Sequence, residues 1–163
     1  MKKIILVAVA VLLLGFNANA KLYVGGTAGM QVIDSNFSGI LAPEVGYQFN
    51  ESIAAGAYLV FSGNSAVNTW NINPYFRWTF LHISDFGLFG EASFGIGTTK
   101  SVPDWESQTV WNVGVTPGVS YRIGEHFSFI GRVGNIGYQR VGDGGAFSLN
   151  LNFQPTIGVV YNF

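Results

Sequence analysis

The sequence predicts an all-β fold, a closed eight-stranded antiparallel transmembrane β-barrel. In residues 147–163 nearly every second residue is apolar, which is the period of a β-strand. Charged residues make up only 10% of the chain and aromatic residues 15%, whereas a soluble domain is about one quarter charged. No apolar run of about twenty residues follows Ala20, so a membrane-spanning helix is excluded. A closed barrel is the other backbone arrangement that satisfies every peptide group in lipid.

The amino terminus has the three parts of a secretory signal peptide. Residues 1–3 are basic, residues 4–16 form an apolar run too short to span a bilayer, and residues 17–20 end in a small-residue pattern. We expect cleavage after Ala20, which makes 1–20 the signal peptide and 21–163 the barrel domain. The mature chain then has six basic and nine acidic residues, a net charge of −3. This balance lacks the basic excess that is typical of nucleic-acid-binding proteins. Without cysteine, neither a disulfide framework nor a lipid-attached cysteine is available.

Seven further segments repeat the two-residue rhythm before the carboxy-terminal strand. The eight predicted strands are 22–32, 40–49, 53–62, 70–80, 86–96, 111–123, 127–134 and 147–163. Alternation weakens after Gly134, where we expect a β-bulge because a glycine inside a strand often marks one. Eight is an even number, as single-chain bacterial barrels have.

The connections between these strands predict the orientation in the membrane. Three are short, at 50–52, 81–85 and 124–126, and four are predicted to be longer, at 34–38, 63–68, 97–109 and 141–146. Transmembrane barrels have short periplasmic turns and longer outer loops, so both termini are expected in the periplasm. Trp105, in the longest predicted loop, is a candidate surface contact because Trp is a favoured interface anchor. The alternative is a solvated loop whose Trp folds onto the barrel rim.

The apolar rows are predicted to face lipid. An eight-stranded barrel has an interior only just wide enough for side chains. Trp70, Trp78 and Phe94, among other large residues of the apolar rows, have too much volume for that interior. The opposite rows are rich in Gly, Ser, Thr and Asn. Outward aromatic residues also gather near the strand ends, as in the aromatic girdles of membrane barrels.

Five charged residues fall on the inward rows and predict a charge network in the lumen. They are Glu44, Arg77, Glu91, Arg122 and Arg132. Glu44, Glu91 and Arg132 are predicted at similar heights, so that Glu91 and Arg132 can meet across a strand with small inward residues. Arg122 lies near the periplasmic strand end, where the alternative is a solvated side chain. One interpretation is a gate or proton path. The other is a structural plug whose charges are paired, since an unpaired buried charge is strongly unfavourable. The narrow interior favours the plug.

The histidines, His82 and His126, lie at predicted periplasmic turns. His126 and Ser128 share one strand face and are similar to part of the lipid A 3-O-deacylase motif. That motif continues with Asn-Ala, whereas Phe129 and Ile130 follow here, and no third group orients the imidazole. We therefore predict no catalytic residue, cofactor-binding residue or metal ligand.

The whole pattern resembles the small eight-stranded outer-membrane barrels, such as outer membrane protein X and the transmembrane domain of outer membrane protein A. It also resembles the broad family of outer-membrane β-barrel domain proteins. The resemblance covers 21–163 and rests on architecture and on the ending Tyr161-Asn162-Phe163. It implies that Tyr161 and Phe163 belong to the signal read by the barrel-insertion machinery. It also implies a monomer in contact with outer-membrane lipid and lipopolysaccharide.

Members of this class include structural proteins, adhesion and serum-resistance factors, and a few lipid A enzymes. We expect a structural or surface-interaction role with a filled lumen, and a host or surface ligand bound through the loops. The alternatives are a narrow solute pore and a lipid A-modifying enzyme.

Overall fold

The computed structural model describes residues 20–33, 36–63, 67–101, 107–142, 144–150 and 156–163. The predicted signal peptide lies outside these ranges apart from Ala20. The strands are β1 (Lys21–Ile33), β2 (Asn36–Gln48), β3 (Ile53–Gly63), β4 (Val67–Ile83), β5 (Phe86–Ser101), β6 (Ser107–Ile123), β7 (Phe127–Arg132), β8 (Asn135–Val141), β9 (Gly144–Asn150) and β10 (Thr156–Asn162).

These segments form one closed antiparallel barrel. Strands β1 to β6 pair in chain order. Segments β7 and β8 both pair with β6, and they form the seventh barrel strand. Segments β9 and β10 form the eighth barrel strand, because β9 pairs with β8 and β10 pairs with β7. Pairing of β10 with β1 closes the barrel, which confirms the predicted fold class.

The barrel has two ends that differ in what they carry. Lys21 and Phe163 lie at one end together with the turns 49–52, 84–85 and 124–126, and we call this the terminal end. The other, the opposite end, carries the connections that follow β1, β3, β5 and β8. Within the described ranges, no helix is long and apolar enough to cross a membrane.

The bulge predicted beside Gly134 is present between β7 and β8. Val115 pairs with Ile136 and Gly118 pairs with Arg132, so β6 advances three residues while the seventh strand advances four. Gly134 has a φ of 67°, a conformation that glycine adopts without a steric penalty. The extra residue reverses the alternation, so that Ile136 is exposed and the apolar row stays outward beyond the bulge.

The predicted lengths of the outer connections are wrong. Strand β5 continues to Ser101 and β6 begins at Ser107, so only 102–106 lie between them, and not 97–109. The ladder persists from Thr98 paired with Thr109 to Lys100 paired with Ser107. Apolar alternation ends before backbone pairing does, because polar Thr-rich residues still favour extended backbone. The contrast between long and short connections therefore does not determine orientation.

The predicted assignment of the two faces is confirmed. In β4, Phe76 and Trp78 are 49% and 57% exposed on the outside, whereas Asn73 and Tyr75 are 3% and 5% exposed inside. Strand β5 likewise has polar side chains inside and apolar side chains outside, the reverse of a soluble protein. Glu91 is fully buried, and Phe94 is 47% exposed. An apolar exterior of this kind fits a hydrocarbon solvent.

Large inward rings are accommodated by inward glycines. The lumen holds an apolar group of buried side chains: Tyr23, Ala54, Tyr75, Phe89, Ile130 and Val160. A Cβ at Gly46 would lie 2.5 Å from the ring carbon Cζ of Tyr23, and one at Gly118 would overlap the ring of Phe89. Small residues on neighbouring strands therefore give these rings the space to cross the lumen.

A pair of substitutions on β6 tests the membrane-facing surface. Val115 lies mid-strand and Ile123 at the strand end, and they are 50% and 45% exposed. We expect Val115→Arg to lower the free energy of unfolding from lipid vesicles by about 2–4 kcal/mol. Ile123→Arg should lower it by about 0–1 kcal/mol, because an interfacial guanidinium stays hydrated. Denaturant titration measures both values, and equal losses at the two depths would contradict the assignment.

Candidate functional site

Four charged side chains meet inside the barrel and form what we call the lumen cluster: Glu44, Arg77, Glu91 and Arg132. They come from β2, β4, β5 and the end of β7. Each lies on an inward row, and Arg77 and Glu91 are direct cross-strand partners. All four residues are buried, with exposures of 0–8%. Strand alternation accounts for their direction, and the barrel closure brings the separate strands together.

Glu91 is the shared acceptor of the lumen cluster. Arg77 donates to its Oε2 through Nε at 3.0 Å and through Nη2 at 2.8 Å. Arg132 donates through Nε to Oε1 at 3.1 Å and through Nη2 to Oε2 at 3.3 Å. Both carboxylate oxygens of Glu91 are therefore occupied by guanidinium donors. Charge-assisted bonds of this kind are stronger than neutral ones.

Glu44 completes the lumen cluster from the other side. Its Oε2 accepts a 2.6 Å bond from Arg132 Nη2 and a 3.2 Å bond from the hydroxyl of Tyr75. Arg77 Nη2 lies 3.6 Å from the same oxygen. The hydroxyl of Tyr23 hydrogen-bonds that of Tyr75. Two carboxylates and two guanidinium groups thus face each other, and the formal charges cancel.

One atom of the lumen cluster is left without a partner. Among the described residues, Glu44 Oε1 is the buried side-chain polar atom that accepts no hydrogen bond. Arg132 Nη1, which does not bond a carboxylate, donates to Thr27 Oγ1 at 2.7 Å. The arrangement is close to saturated, which buried charges require to offset desolvation.

Aromatic rings enclose the two guanidinium groups. Arg77 lies 4.8 Å from the ring centroid of Phe89 and 5.1 Å from that of Tyr75. Arg132 lies 5.3 Å from the ring centroid of Tyr58. Such contacts add a cation–π attraction, which is larger where water is excluded. The rings and the charged side chains thus lie at the same level of the lumen.

Towards the opposite end, the lumen is filled by small polar side chains. Asn73 donates through Nδ2 to Asn71 Oδ1 at 2.6 Å, and Asn135 donates to Thr116 Oγ1 at 2.9 Å. A Cβ at Gly95 would approach the amide of Asn112 to 2.6 Å, so this glycine makes room for the amide. The amides therefore extend the filled part of the lumen beyond the lumen cluster.

Towards the terminal end, the lumen opens into a cavity of about 720 Å³, which we call the vestibule. Its wall reaches inward as far as Tyr23, Arg77 and Ile130. The vestibule thus ends at the aromatic and charged layer.

The structure separates Arg122 from the other predicted members of the charge network. Arg122 is exposed at the vestibule mouth, and the contacts of the lumen cluster do not include it. Its backbone N–H donates to Asp85 O at 2.8 Å. Arg122 is on an inward row but one residue from the end of β6, where water reaches it.

Sequence reasoning did not single out the aromatic partners of the lumen cluster. Tyr23, Tyr58, Tyr75 and Phe89 all lie on inward rows that are otherwise rich in small residues. A large ring on such a row is the signal that could have identified them. Such a ring must either cross the narrow lumen or displace a neighbour.

The histidines are held by backbone carbonyls at the terminal end. His126 donates through Nδ1 to Asn162 O at 3.0 Å, and His82 donates through Nε2 to Glu51 O at 2.9 Å. Among the described residues, no hydrogen bond joins either imidazole to a serine hydroxyl. Both imidazoles are thus oriented by backbone carbonyls of neighbouring segments.

Three further residues were predicted to have a role: Trp105, Tyr161 and Phe163. Trp105 lies outside the described residues. Tyr161 stacks on His126 with ring centroids 5.4 Å apart and contacts Phe127 and Phe163 edge-on at 5.1 and 5.0 Å. The backbone N–H of Phe163 donates to Leu22 O at 2.9 Å. The carboxy-terminal aromatic residues are thus fixed at the seam where the barrel closes.

Comparison of the sequence with known protein families and with characterised proteins gave no match. Among solved structures, the chain is similar to the Neisserial surface protein A, with a TM-score of 0.60 and 15% sequence identity. The match covers 90% of this chain and 98% of that chain. A de novo designed transmembrane β-barrel matches with a TM-score of 0.41 and 14% identity over 88% of this chain and 95% of that one. At this identity, the likeness to the Neisserial protein shows a shared barrel fold.

Two arginine substitutions compare the contributions of the lumen cluster and of the vestibule mouth to stability. Arg132→Met removes donors to Glu44, Glu91 and Thr27 and leaves buried acceptors unpaired. We expect it to lower the free energy of unfolding by about 3–5 kcal/mol. Arg122→Met makes the same chemical change at an exposed position, so its effect should stay within about 0.5 kcal/mol. Denaturant unfolding in detergent or vesicles measures both, and similar losses would contradict the role assigned to the lumen cluster.

Proposed function

We propose that this protein is an integral outer-membrane barrel with a closed lumen and a structural or surface-interaction role. The observation that carries the proposal is the lumen cluster. Its four charged side chains and their aromatic neighbours occupy the lumen between the vestibule and the amide-filled half. A closed lumen leaves the outer surface and the connections between strands as the parts that contact other molecules.

The location in an outer membrane is supported by the exterior of the barrel. Exposed aromatic side chains lie near both strand ends, including Trp78 and Phe80 at the terminal end and Phe61 and Trp70 at the opposite end. Rings at these levels favour the lipid–water boundary. The predicted signal peptide, residues 1–20, supports export through the inner membrane.

We also propose that both termini lie in the periplasm and that Tyr161 and Phe163 form the recognition signal for the barrel-insertion machinery. The edge contacts that fix Tyr161 against Phe127 and Phe163 support the second part. Deletion of Phe163 should slow assembly into the membrane in cells. Unchanged assembly kinetics would contradict the signal.

We also propose Trp105, which lies outside the described residues, as a surface contact. Adherence of expressing cells to host matrix should fall for Trp105→Ala, and equal adherence would remove this residue from consideration.

A narrow solute pore is the second candidate, and the vestibule is the observation that favours it. A cavity of about 720 Å³ already opens a path from the terminal end to Arg77. A pore would require the lumen cluster to move, with two guanidinium groups leaving Glu91 together. Loss of ion selectivity for Arg132→Ala would favour this candidate.

Conductance separates the two candidates. Wild-type protein in planar bilayers should show little steady conductance, because charged and aromatic side chains fill the lumen. The double variant Glu91→Ala/Arg132→Ala removes one charge of each sign, but the amides of Asn71 and Asn73 still occupy the lumen beyond it, so its conductance should also stay low. The mobility of unheated protein in gel electrophoresis shows whether the variant is folded. Stable channels in most wild-type insertions would contradict the proposal.

Cysteine labelling tests the orientation, since the chain has no cysteine of its own. Asn68 and Glu125 are both exposed, at the opposite end and the terminal end respectively. A membrane-impermeant maleimide added to intact cells should label Asn68→Cys and not Glu125→Cys. Permeabilised cells should label both variants, which controls for reactivity. The reverse pattern would place the termini outside.

A further inference from the structure

A second cavity lies on the outer surface of the barrel at the opposite end, and we call it the rim pocket. It has a volume of about 560 Å³ and is lined by Phe61, Ser62, Gly63, Asn68, Thr69, Trp70 and Lys100. It is separate from the vestibule and the lumen cluster. Phe61 and Trp70 are 48% and 49% exposed, and Asn68 and Lys100 are also exposed.

The register places these side chains on one outward face. Phe61 pairs with Trp70, Gly63 pairs with Asn68, and Asn68 pairs in turn with Lys100. Residues two apart on a strand lie about 7 Å apart along it and point to the same side. The ammonium and the amide therefore lie further towards the strand ends than the two rings. Gly63 has no side chain, and a Cβ there would meet the Asn68 amide, so the glycine leaves space for that amide.

We propose that the rim pocket binds the phosphate headgroup of an anionic membrane lipid. Lys100 supplies the positive charge, and the amide N–H groups of Asn68 donate to phosphoryl oxygens. The rings of Phe61 and Trp70 pack against the upper part of the acyl chain. The inference rests on the proposed membrane location, because the rings meet acyl chains only if this surface lies in lipid.

The order of chemical groups in the rim pocket favours a lipid over other occupants. Aromatic rings occupy the level nearer the membrane centre and the ammonium the level nearer water, which is the order of groups within a lipid molecule. Free phosphate would use Lys100 and Asn68 but would leave both rings without a partner. One lysine near an anionic membrane surface contributes a factor of about five in affinity.

Fluorescence quenching of Trp70 reads the occupant of the rim pocket directly. The chain has four tryptophans, so the reporter protein carries Trp78→Phe, Trp105→Phe and Trp111→Phe. It is inserted into vesicles that contain dibrominated phosphatidylglycerol or dibrominated phosphatidylcholine with identical acyl chains. We expect an apparent binding preference of about fivefold for the anionic lipid. A second reporter that retains only Trp78 should show no preference, because that ring lies at the terminal end.

Substitutions of lysine complete the test. Lys100→Gln should remove the preference at Trp70, and Lys100→Arg should retain it. Lys21→Gln deletes a lysine at the terminal end and should leave the preference unchanged.

Three outcomes would overturn the rim pocket proposal. They are equal quenching by the two lipids, a preference that persists in Lys100→Gln, and a preference that inorganic phosphate abolishes, which would assign the pocket to free phosphate. Absence of quenching by either brominated lipid would instead contradict the membrane location itself. The two failures are therefore distinguishable.

Discussion

The shared coordination of Glu91 by two arginines is the interaction on which the interior depends. A barrel of eight strands has no room for bulk water around several charges, so charged groups inside it must neutralise one another. Glu91 is fully buried and accepts from both Arg77 and Arg132. Any change in one of these three side chains leaves a partner with an uncompensated charge in a poorly solvated space. The rest of the lumen is arranged around that requirement.

The same interaction also links strands that the backbone ladder does not. Hydrogen bonding between neighbouring strands fixes each strand only to the next. Arg132 crosses the lumen instead and reaches Glu44 and Thr27, which are 88 and 105 residues away in sequence. These contacts brace the seventh strand against β1 and β2 through the interior. The backbone ladder alone does not determine how round the barrel is in cross-section. The bonds across the lumen add resistance to flattening.

The sequence predicted those features of the lumen that follow from the two-residue period of a β-strand. Alternation assigned Glu44, Arg77, Glu91 and Arg132 to the interior, because successive side chains must point to opposite faces. It placed Glu44, Glu91 and Arg132 at similar heights, but it did not show that Arg77 and the aromatic rings join them, since that depends on the stagger of the closed sheet. The rings that enclose the guanidinium groups were missed for this reason. Parity also put Arg122 on an inward row, but its position near the end of β6 leaves it exposed.

The extent of the hairpins was missed for a different physical reason. Backbone pairing continues through Thr98, Thr99 and Lys100, although no apolar alternation marks them. Above the hydrocarbon region, neither face needs to be apolar, so the side-chain pattern ends while hydrogen bonding goes on. Gly134 gave a separate cue, because a glycine at this point predicted a bulge, and its φ of 67° accompanies the bulge between β7 and β8.

The two halves of the lumen are unequal, and this asymmetry bears on what the molecule can do. The vestibule penetrates from the terminal end to Arg77, while Asn71, Asn73 and their neighbours fill the other half. Water entering from the terminal end therefore reaches the lumen cluster, yet meets packed amides beyond it. Opening a continuous path would mean displacing an ion-paired layer and a hydrogen-bonded amide layer together. Two successive layers of this kind lie between the vestibule and the opposite end of the barrel.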